Sequence, residues 1–202
     1  MMIITVATAN SGKIREIESF FPVSSGVRVI PMSVLKKINT PDETGASFAE
    51  NAVIKACAAA EVFSTHVIAD DSGLVVDALG GEPGIYSARY MNLKTDAEKN
   101  AALIKKMKNV PYDKRTARFV CAIAHVSPEG VLSVFEASCE GLISESPSGS
   151  SGFGYDPVFY LPQYQKTMAE IPAELKNIIS HRAGALNLFA ESFNKLYGER
   201  SV

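Results

Sequence analysis

Two adjacent carboxylates, Asp70 and Asp71, end an apolar run and precede Ser72 and Gly73. Open α/β sheets bind ligands beyond the carboxyl ends of their strands, so this strand end is a candidate site for chemistry. In extended backbone the two side chains would point to opposite faces, and one site could use both only where the chain turns. We therefore predict an acidic turn here, with a purely structural Asp-Ser-Gly turn as the alternative.

A second candidate is the segment Thr8-Ala9-Asn10-Ser11-Gly12-Lys13, which stands between a predicted strand and a predicted helix. Exposed amides, the N-terminus of a helix and a lysine can together hold phosphate. The segment lacks the GxxxxGK[ST] pattern of a Walker A loop. A polar turn with a solvated lysine accounts for it equally well.

Glu43 becomes a candidate metal ligand if the fold brings it to Asp71. Magnesium takes oxygen ligands and keeps water and substrate phosphate in its shell, so one or two carboxylates are enough. The alternative is that the run Asp42-Glu43-Thr44-Gly45 is an acidic loop that favours the start of the next helix.

Two later segments could bind a nucleotide base. The run Gly152-Phe153-Gly154-Tyr155-Asp156-Pro157 offers close backbone approach and two aromatic faces for stacking, or it is a tight turn with core aromatics. The run Ser180-His181-Arg182 offers hydrogen-bond donors for an oxo group or a phosphate. Alternatively, Ser180 caps the last predicted helix.

Apolar spacing predicts the elements that must position these residues. We predict strands at residues 3–7, 27–31, 66–69, 74–77, 115–127 and 131–143. Helices are predicted after residue 10, after the capping boxes that begin at Ser47 and Thr95, and from Ala183 to the C-terminal region. The last two strands form a hairpin, and residues 144–154 form a substrate loop. This mixture predicts an α/β protein on a mixed sheet.

Composition restricts the class of protein. The chain has 202 residues, 47% hydrophobic, which is enough for a core in one domain or two joined lobes. The formal net charge of -2 supplies no field that attracts nucleic acid. Cys57, Cys121 and Cys139 are predicted to be buried reduced thiols. The N-terminal residues lack the pattern of a signal peptide or membrane span, so we expect a cytoplasmic protein.

Taken together, these segments closely resemble the inosine triphosphate pyrophosphatase family, whose members hydrolyse non-canonical purine nucleoside triphosphates. The resemblance runs nearly end to end, with five motifs in the family's order. They are Thr8-x-Asn10-x-x-Lys13, Glu43-Thr44-Gly45-x-x-Phe48-x-x-Asn51, Ala69-Asp70-Asp71-Ser72-Gly73-Leu74, Gly152-Phe153-Gly154-Tyr155-Asp156-Pro157 and Ser180-His181-Arg182. Ala9 departs from the glycine common at its position, and residues 148–151 are richer in serine than usual.

The resemblance implies a single domain over residues 1–202, with an elongated mixed β-sheet and helices that form two lobes around a central active-site cleft, in a homodimer. It makes Asp71 the general base and, with Glu43, a magnesium ligand. Lys13 would contact phosphate. The implied substrate-binding residues are Thr8, Ala9, Asn10, Ser11, Gly12, Lys13, Ser72, Phe153, Gly154, Tyr155, Asp156, Lys176, His181 and Arg182.

The reaction expected from this resemblance is attack of water at the α-phosphorus of ITP, dITP or XTP. Pyrophosphate leaves and the nucleoside monophosphate remains. The alternatives are a pyrophosphatase for modified pyrimidine or other damaged triphosphates and a nucleotide-binding protein without catalysis. Binding of nucleic acid or of a membrane is not expected.

Overall fold

A computed structural model describes residues 2–21, 25–35 and 41–197. The chain divides into two compact units. The first draws on residues 1–71, 121–137 and 182–202, and the second on residues 72–120 and 138–181. Each unit contains its own apolar core, so each is described by itself.

The first unit opens with the predicted strand, loop and helix. Strand β1 (Met2–Val6) pairs in parallel with β2 (Val27–Pro31), and helix α1 (Ser11–Phe20) lies between them in the chain. The short helix α2 (Met32–Leu35) follows β2. Parallel strands are typically covered on both faces, and Ile4 and Val6 are accordingly fully buried.

Helix α3 (Phe48–Ala60) begins where the sequence predicts. Ser47 Oγ accepts a hydrogen bond from the amide of Glu50 at 3.1 Å, and the Glu50 carboxylate accepts one from the amide of Ala46 at 2.7 Å. Such caps satisfy amides that have no partner within the helix. The buried face of α3 includes two polar residues, Asn51 and Lys55, among alanines.

Strand β3 corrects the sequence prediction at the acidic segment. It is one strand of eleven residues, His66–Val76, and runs straight through Asp70, Asp71, Ser72 and Gly73. The predicted turn between two short strands is therefore wrong. The acidic residues need no turn because buried cations from other elements satisfy their carboxylates, as described below.

The remaining strands comprise the predicted hairpin and a short pair that the sequence pattern does not predict. Strands β4 (Thr116–Val126) and β5 (Leu132–Ile143) are joined by a hairpin closed by the bond from Ser127 N to Val131 O at 3.0 Å. Strands β6 (Phe159–Leu161) and β7 (Lys166–Thr167) are short and antiparallel. The seven strands are ordered β2-β1-β3-β4-β5-β6-β7, with β5 antiparallel to β6. The predicted mixed sheet is confirmed.

Three further α-helices follow within residues 41–197. Helix α4 (Asp96–Lys106) starts at the predicted capping box of Thr95 and Glu98, and α5 (Ala173–Ile179) precedes α6 (His181–Tyr197). Residues 144–154 contain neither helix nor strand, as predicted. The core of the first unit comprises Ile4, Val6, Ile17, Ile68, Cys121, Ile123, Ala185, Leu186, Phe189 and Phe193. That of the second includes Leu74, Val76, Leu103, Met107, Phe119, Ile143, Val158, Phe159 and Leu161.

The cysteines differ in part from expectation. Cys121 and Cys139 are buried free thiols as predicted, but Cys57 is exposed. Cys57 follows the buried Ala56 on α3, and one step along a helix rotates a side chain well away from the buried face. Within the described ranges, no helix combines the length and apolar character needed to span a bilayer.

Candidate active site

Asp70 lies at the centre of a buried charge cluster in the first unit. The residue is 1% exposed, and its carboxylate accepts a hydrogen bond from Arg182 Nε at 2.7 Å. Lys13 also forms an ion pair with Asp70. Arg182 in turn pairs with Glu16 on α1. Burial by itself would raise the pKa of Asp70, but Arg182 and Lys13 hold this pKa well below its ordinary value. Asp70 is therefore an ionised structural anchor.

Asp71 bonds to a different cation. Its Oδ1 accepts a hydrogen bond from Lys55 Nζ at 2.7 Å, and the same nitrogen lies 3.2 Å from Glu43 Oε1 and 2.9 Å from the backbone oxygen of Asp70. Burial raises the pKa of Asp71, Lys55 opposes that shift, and Glu43 adds to it. Burial would lower the pKa of Lys55, but Asp71, Glu43 and Asp70 raise it. The lysine therefore stays charged beside both carboxylates.

The residues at this position fit a divalent cation. Asp71 Oδ2 is buried and has no hydrogen-bond partner among the described residues. Glu43 and Asp71 offer the carboxylate oxygens that magnesium prefers, and both lie beside one lysine nitrogen. Over the described ranges no cluster of three or more His, Cys, Asp or Glu residues could hold a metal. Water and substrate phosphate would therefore have to complete the shell.

The predicted phosphate segment forms the N-terminus of α1. Asn10 caps this helix, because its Oδ1 accepts hydrogen bonds from the amides of Gly12 at 2.9 Å and Lys13 at 3.1 Å. The amide of Asn10 itself bonds to Thr8 Oγ1 at 3.2 Å. Ala9, Asn10 and Ser11 are exposed, whereas Gly12 is buried. The cap orders the loop and leaves its outer surface accessible to an anion.

The second unit brings together four of the residues predicted to hold the base. Asp156 Oδ2 accepts hydrogen bonds from the amide of Phe153 at 2.9 Å and from Lys176 Nζ at 2.5 Å. Lys176 Nζ also lies 4.9 Å from the centre of the Phe153 ring, which is a cation–π distance. Tyr155 Oη donates to the backbone oxygen of Ser87 at 3.0 Å. These contacts fix an aromatic face beside a lysine.

His181, Ser72 and Arg182, which are also predicted to bind substrate, lie in other surroundings. The His181 ring stacks on Phe119 with 4.8 Å between ring centres and is buried. Ser72 is half-buried in β3. The Arg182 guanidinium is engaged by Asp70 and Glu16, so its direct contact with a base stays a prediction.

Sequence reasoning missed Lys55 as a member of the site. The available signal was a lysine one turn from Asn51 on an alanine-rich helix face. A charged side chain is rarely buried unless it is paired, and Lys55 is three and four residues away from Ala52 and Ala59, which are buried on the same helix. Its partners Glu43 and Asp71 could not be identified from the helix alone.

The sequence model of the Ham1 family matches residues 4–192. A dITP/XTP pyrophosphatase of Geobacillus kaustophilus is 52% identical over 198 residues, which cover 96% of this chain and 96% of that relative. The Ham1 protein of Staphylococcus aureus has a TM-score of 0.84 at 42% identity, covering 96% of this chain and 98% of its own. The HAM1 protein of Coxiella burnetii has a TM-score of 0.86 at 35% identity, covering 96% and 100%. These matches bear out the resemblance drawn from the motifs, and the chain belongs to the Ham1 family.

Proposed function

We propose that this chain hydrolyses the non-canonical purine nucleoside triphosphates ITP, dITP and XTP to the monophosphate and pyrophosphate. The observation that carries the proposal is the pair Glu43 and Asp71 on one buried lysine, with Asp71 Oδ2 lacking a partner among the described residues. The Geobacillus kaustophilus relative is a dITP/XTP pyrophosphatase, which supports the choice of substrate.

Glu43 and Asp71 are the residues that would hold magnesium. Bound there, the ion would neutralise charge on the triphosphate and stabilise the departing pyrophosphate. The contribution of the chain itself is to keep two carboxylates together. Lys55 does this by placing one positive charge 3.2 Å from Glu43 and 2.7 Å from Asp71, which offsets the repulsion between them.

Asp71 is the proposed general base. Water attacks the α-phosphorus, a bond forms between that phosphorus and the water oxygen, and the bond to the bridging oxygen of the β-phosphate breaks. The water proton passes to the Asp71 carboxylate and then to solvent, while pyrophosphate leaves with the electron pair. Thr8 through Lys13 and the α1 N-terminus hold phosphate oxygens, since amides and a lysine there present positive charge.

Selectivity for purines with a 6-oxo group is assigned to the residues around Phe153. The ring face stacks on the base, and donors from Lys176 and His181 suit an oxo acceptor, with Ser72 and Arg182 also contacting substrate. Adenine presents an amino donor at the same position and would leave buried donors unpaired, which is costly. The proposed enzyme therefore rejects ATP.

A panel of triphosphates assayed for released pyrophosphate tests the proposal. ITP, dITP and XTP should be hydrolysed with magnesium and not with excess chelator, and dATP should react far more slowly. Comparable turnover of dUTP or a methylated pyrimidine triphosphate would favour the alternative of a pyrimidine-directed pyrophosphatase. Tight binding of ITP without magnesium-dependent hydrolysis would instead identify a nucleotide-binding protein.

The family resemblance also leads to expectations about oligomeric state, cellular location and binding partners. We propose that the chain works as a homodimer in the cytoplasm and binds neither nucleic acid nor membranes. The near-neutral formal charge of -2 is in keeping with the last point. Sedimentation equilibrium of the purified protein tests the dimer, and a single species of 21.7 kDa would refute it.

A further inference from the structure

Helix α4 holds both backbone polar groups of Gly154. Asp96 Oδ2 accepts a hydrogen bond from the Gly154 amide at 2.8 Å, and Asn100 Nδ2 donates one to the Gly154 carbonyl oxygen at 3.1 Å. Asp96 and Asn100 lie four residues apart, so their side chains share one helix face. One helix thus fixes the peptide planes on either side of this glycine.

The two hydrogen bonds to Gly154 come from a helix that is itself held firmly in place. Thr95 and Glu98 form a reciprocal capping box at the start of α4, and Lys99 pairs with Asp96 at 3.3 Å. Leu103 is fully buried in the core of the second unit. Asp96 and Asn100 therefore project from a fixed support rather than from a loop.

Gly154 has a backbone conformation that glycine adopts readily. Its φ of +64° lies in the left-handed region, and a glycine there has more accessible conformations than any other residue. Its neighbours have other anchors, because the Phe153 amide bonds to Asp156 and the Tyr155 hydroxyl bonds to Ser87. The two bonds from α4 restrict the glycine that joins these anchored residues.

Packing does not supply the same restraint. An open pocket of about 620 Å³ is lined by residues of both α4 and the loop 144–154, with Asn100, Ile104, Pro147, Phe153 and Gly154 among them. Tight interdigitation is what normally holds neighbouring segments rigid. Where that contact is incomplete, the two hydrogen bonds to Gly154 carry the restraint.

The side chain of Asn100 also lowers the stability of the folded state, and a purely structural role does not explain why asparagine stands here. The residue is 4% exposed, and its Oδ1 has no hydrogen-bond partner among the described residues. A buried acceptor without a partner is unfavourable, and an apolar side chain of similar size would avoid that cost. The use of asparagine here is accounted for by its donor to Gly154.

We propose that Asp96 and Asn100 are positioning residues that set the orientation of the Phe153 ring for the purine base. This inference rests on the proposed function. Their effect falls on binding of the base and on discrimination between 6-oxo and 6-amino purines. Cleavage of the phosphoanhydride is assigned to Asp71 and its neighbours.

The test compares Asn100→Leu, Asp96→Ala and Asp96→Asn, with Lys108→Ala, an exposed residue just beyond the end of α4, as control. For each variant, kcat and KM are measured with dITP, the Kd for IMP is measured by calorimetry, and unfolding is followed in urea. IMP has no triphosphate, so its binding reports on the base and sugar end independently of turnover.

Asn100→Leu and Asp96→Ala should raise KM and the IMP Kd by about three- to tenfold, the effect of one lost hydrogen bond. Their kcat should stay near that of the wild type. Asp96→Asn retains an acceptor for the Gly154 amide and should restore the wild-type values. The urea midpoint of Asn100→Leu should not fall, because the variant also removes the unpaired Oδ1.

Unchanged KM and Kd in Asn100→Leu and Asp96→Ala would overturn the positioning role. A fall in kcat alone would overturn it too, because that result would assign these residues to chemistry. Failure of the wild type to hydrolyse dITP would refute the proposed function, whatever the variants do. The two failures are therefore distinguishable.

Discussion

Asp70 and Asp71 are consecutive in β3, yet their carboxylates bond to different cations. Asp70 bonds to Arg182 and Lys13, whereas Asp71 bonds to Lys55. Successive side chains of a strand point to opposite faces, and this alternation gives each carboxylate its own surroundings. The strand therefore separates the structural role of Asp70 from the chemical role proposed for Asp71, without any turn.

Asp71→Asn should lower kcat for dITP by at least about 100-fold, because general-base catalysis typically contributes that much or more. The amide cannot accept the water proton. Steady-state release of pyrophosphate measures the effect, and Asp113→Asn, whose side chain is 73% exposed, serves as the matched control. Near-normal turnover in Asp71→Asn would remove this residue from the mechanism.

Asp70→Asn should act mainly on stability. The change keeps the pair between the buried Arg182 guanidinium and Glu16 but removes the Asp70 carboxylate from Arg182. Breaking a buried ion pair by removing one partner costs about 3 kcal/mol or more, and urea unfolding monitored by circular dichroism measures it. The double variant Asp70→Asn with Arg182→Met should regain part of this loss. An unchanged urea midpoint in Asp70→Asn would contradict the anchoring role.

Glu43→Gln should raise the magnesium concentration needed for half-maximal rate by about tenfold, the lower end of the effect of disturbing a metal site. The neutral amide is a weaker ligand for a hard cation than a carboxylate. Rates measured against magnesium concentration test this. Excess magnesium should restore most of the rate in Glu43→Gln but not in Asp71→Asn, and an identical magnesium dependence in Glu43→Gln and wild type would exclude Glu43 as a ligand.

Gly152→Ala should weaken binding of the base. Gly152 has a φ of +77°, and an added Cβ would overlap the Asp156 carboxylate that holds Lys176 and the Phe153 amide. Gly130→Ala is the matched control, since Gly130 has a φ of +84° with open space around it. Both variants should lose about 1–3 kcal/mol from backbone strain, but only Gly152→Ala should raise KM. Equal kinetic effects would refute the argument.

The buried pair His66 and His125 should make stability depend on pH. Their ring nitrogens lie 3.0 Å apart. Burial, and to a smaller extent the neighbouring His66, lowers the pKa of His125 to about 4, while Glu129 acts in the opposite direction. Burial also lowers the pKa of His66. A folded-state pKa below the ordinary value favours the neutral ring. The neutral histidine pair therefore makes its full contribution to the free energy of unfolding above about pH 6.5, and this contribution is lost as the pH falls toward 4.

Urea unfolding of wild type and His125→Gln at several pH values measures this contribution. The amide can keep a hydrogen bond but does not titrate. The difference in unfolding free energy between the two proteins should change by on the order of 2 kcal/mol from pH 7.5 to pH 4.5, with the wild type losing more. Parallel pH profiles would show that the histidine pair does not contribute. Tyr197 and Phe193 on α6 contact the pair but provide no compensating charge in this range.

The sequence by itself determined the elements whose signals are local. The caps at Ser47 and Thr95, the hairpin after Ser127 and the apolar face of α1 each depend on residues a few positions apart. Propensity, capping and periodicity act over that range. The motifs likewise identified the family, because five short patterns in order are readable without a structure.

Only the tertiary structure decided how the charged residues are paired. Lys55 meets Asp71 across 16 positions, Arg182 meets Asp70 across 112, and Asn100 meets Gly154 across 54. The packing of distant segments determines which residues pair, and the pattern of neighbouring residues in the sequence does not show it. The same contacts explain the wrong prediction of a turn in β3. Two adjacent carboxylates suggest a solvated bend in the sequence alone, whereas in the structure buried cations from other elements pair with both of them within a continuous strand.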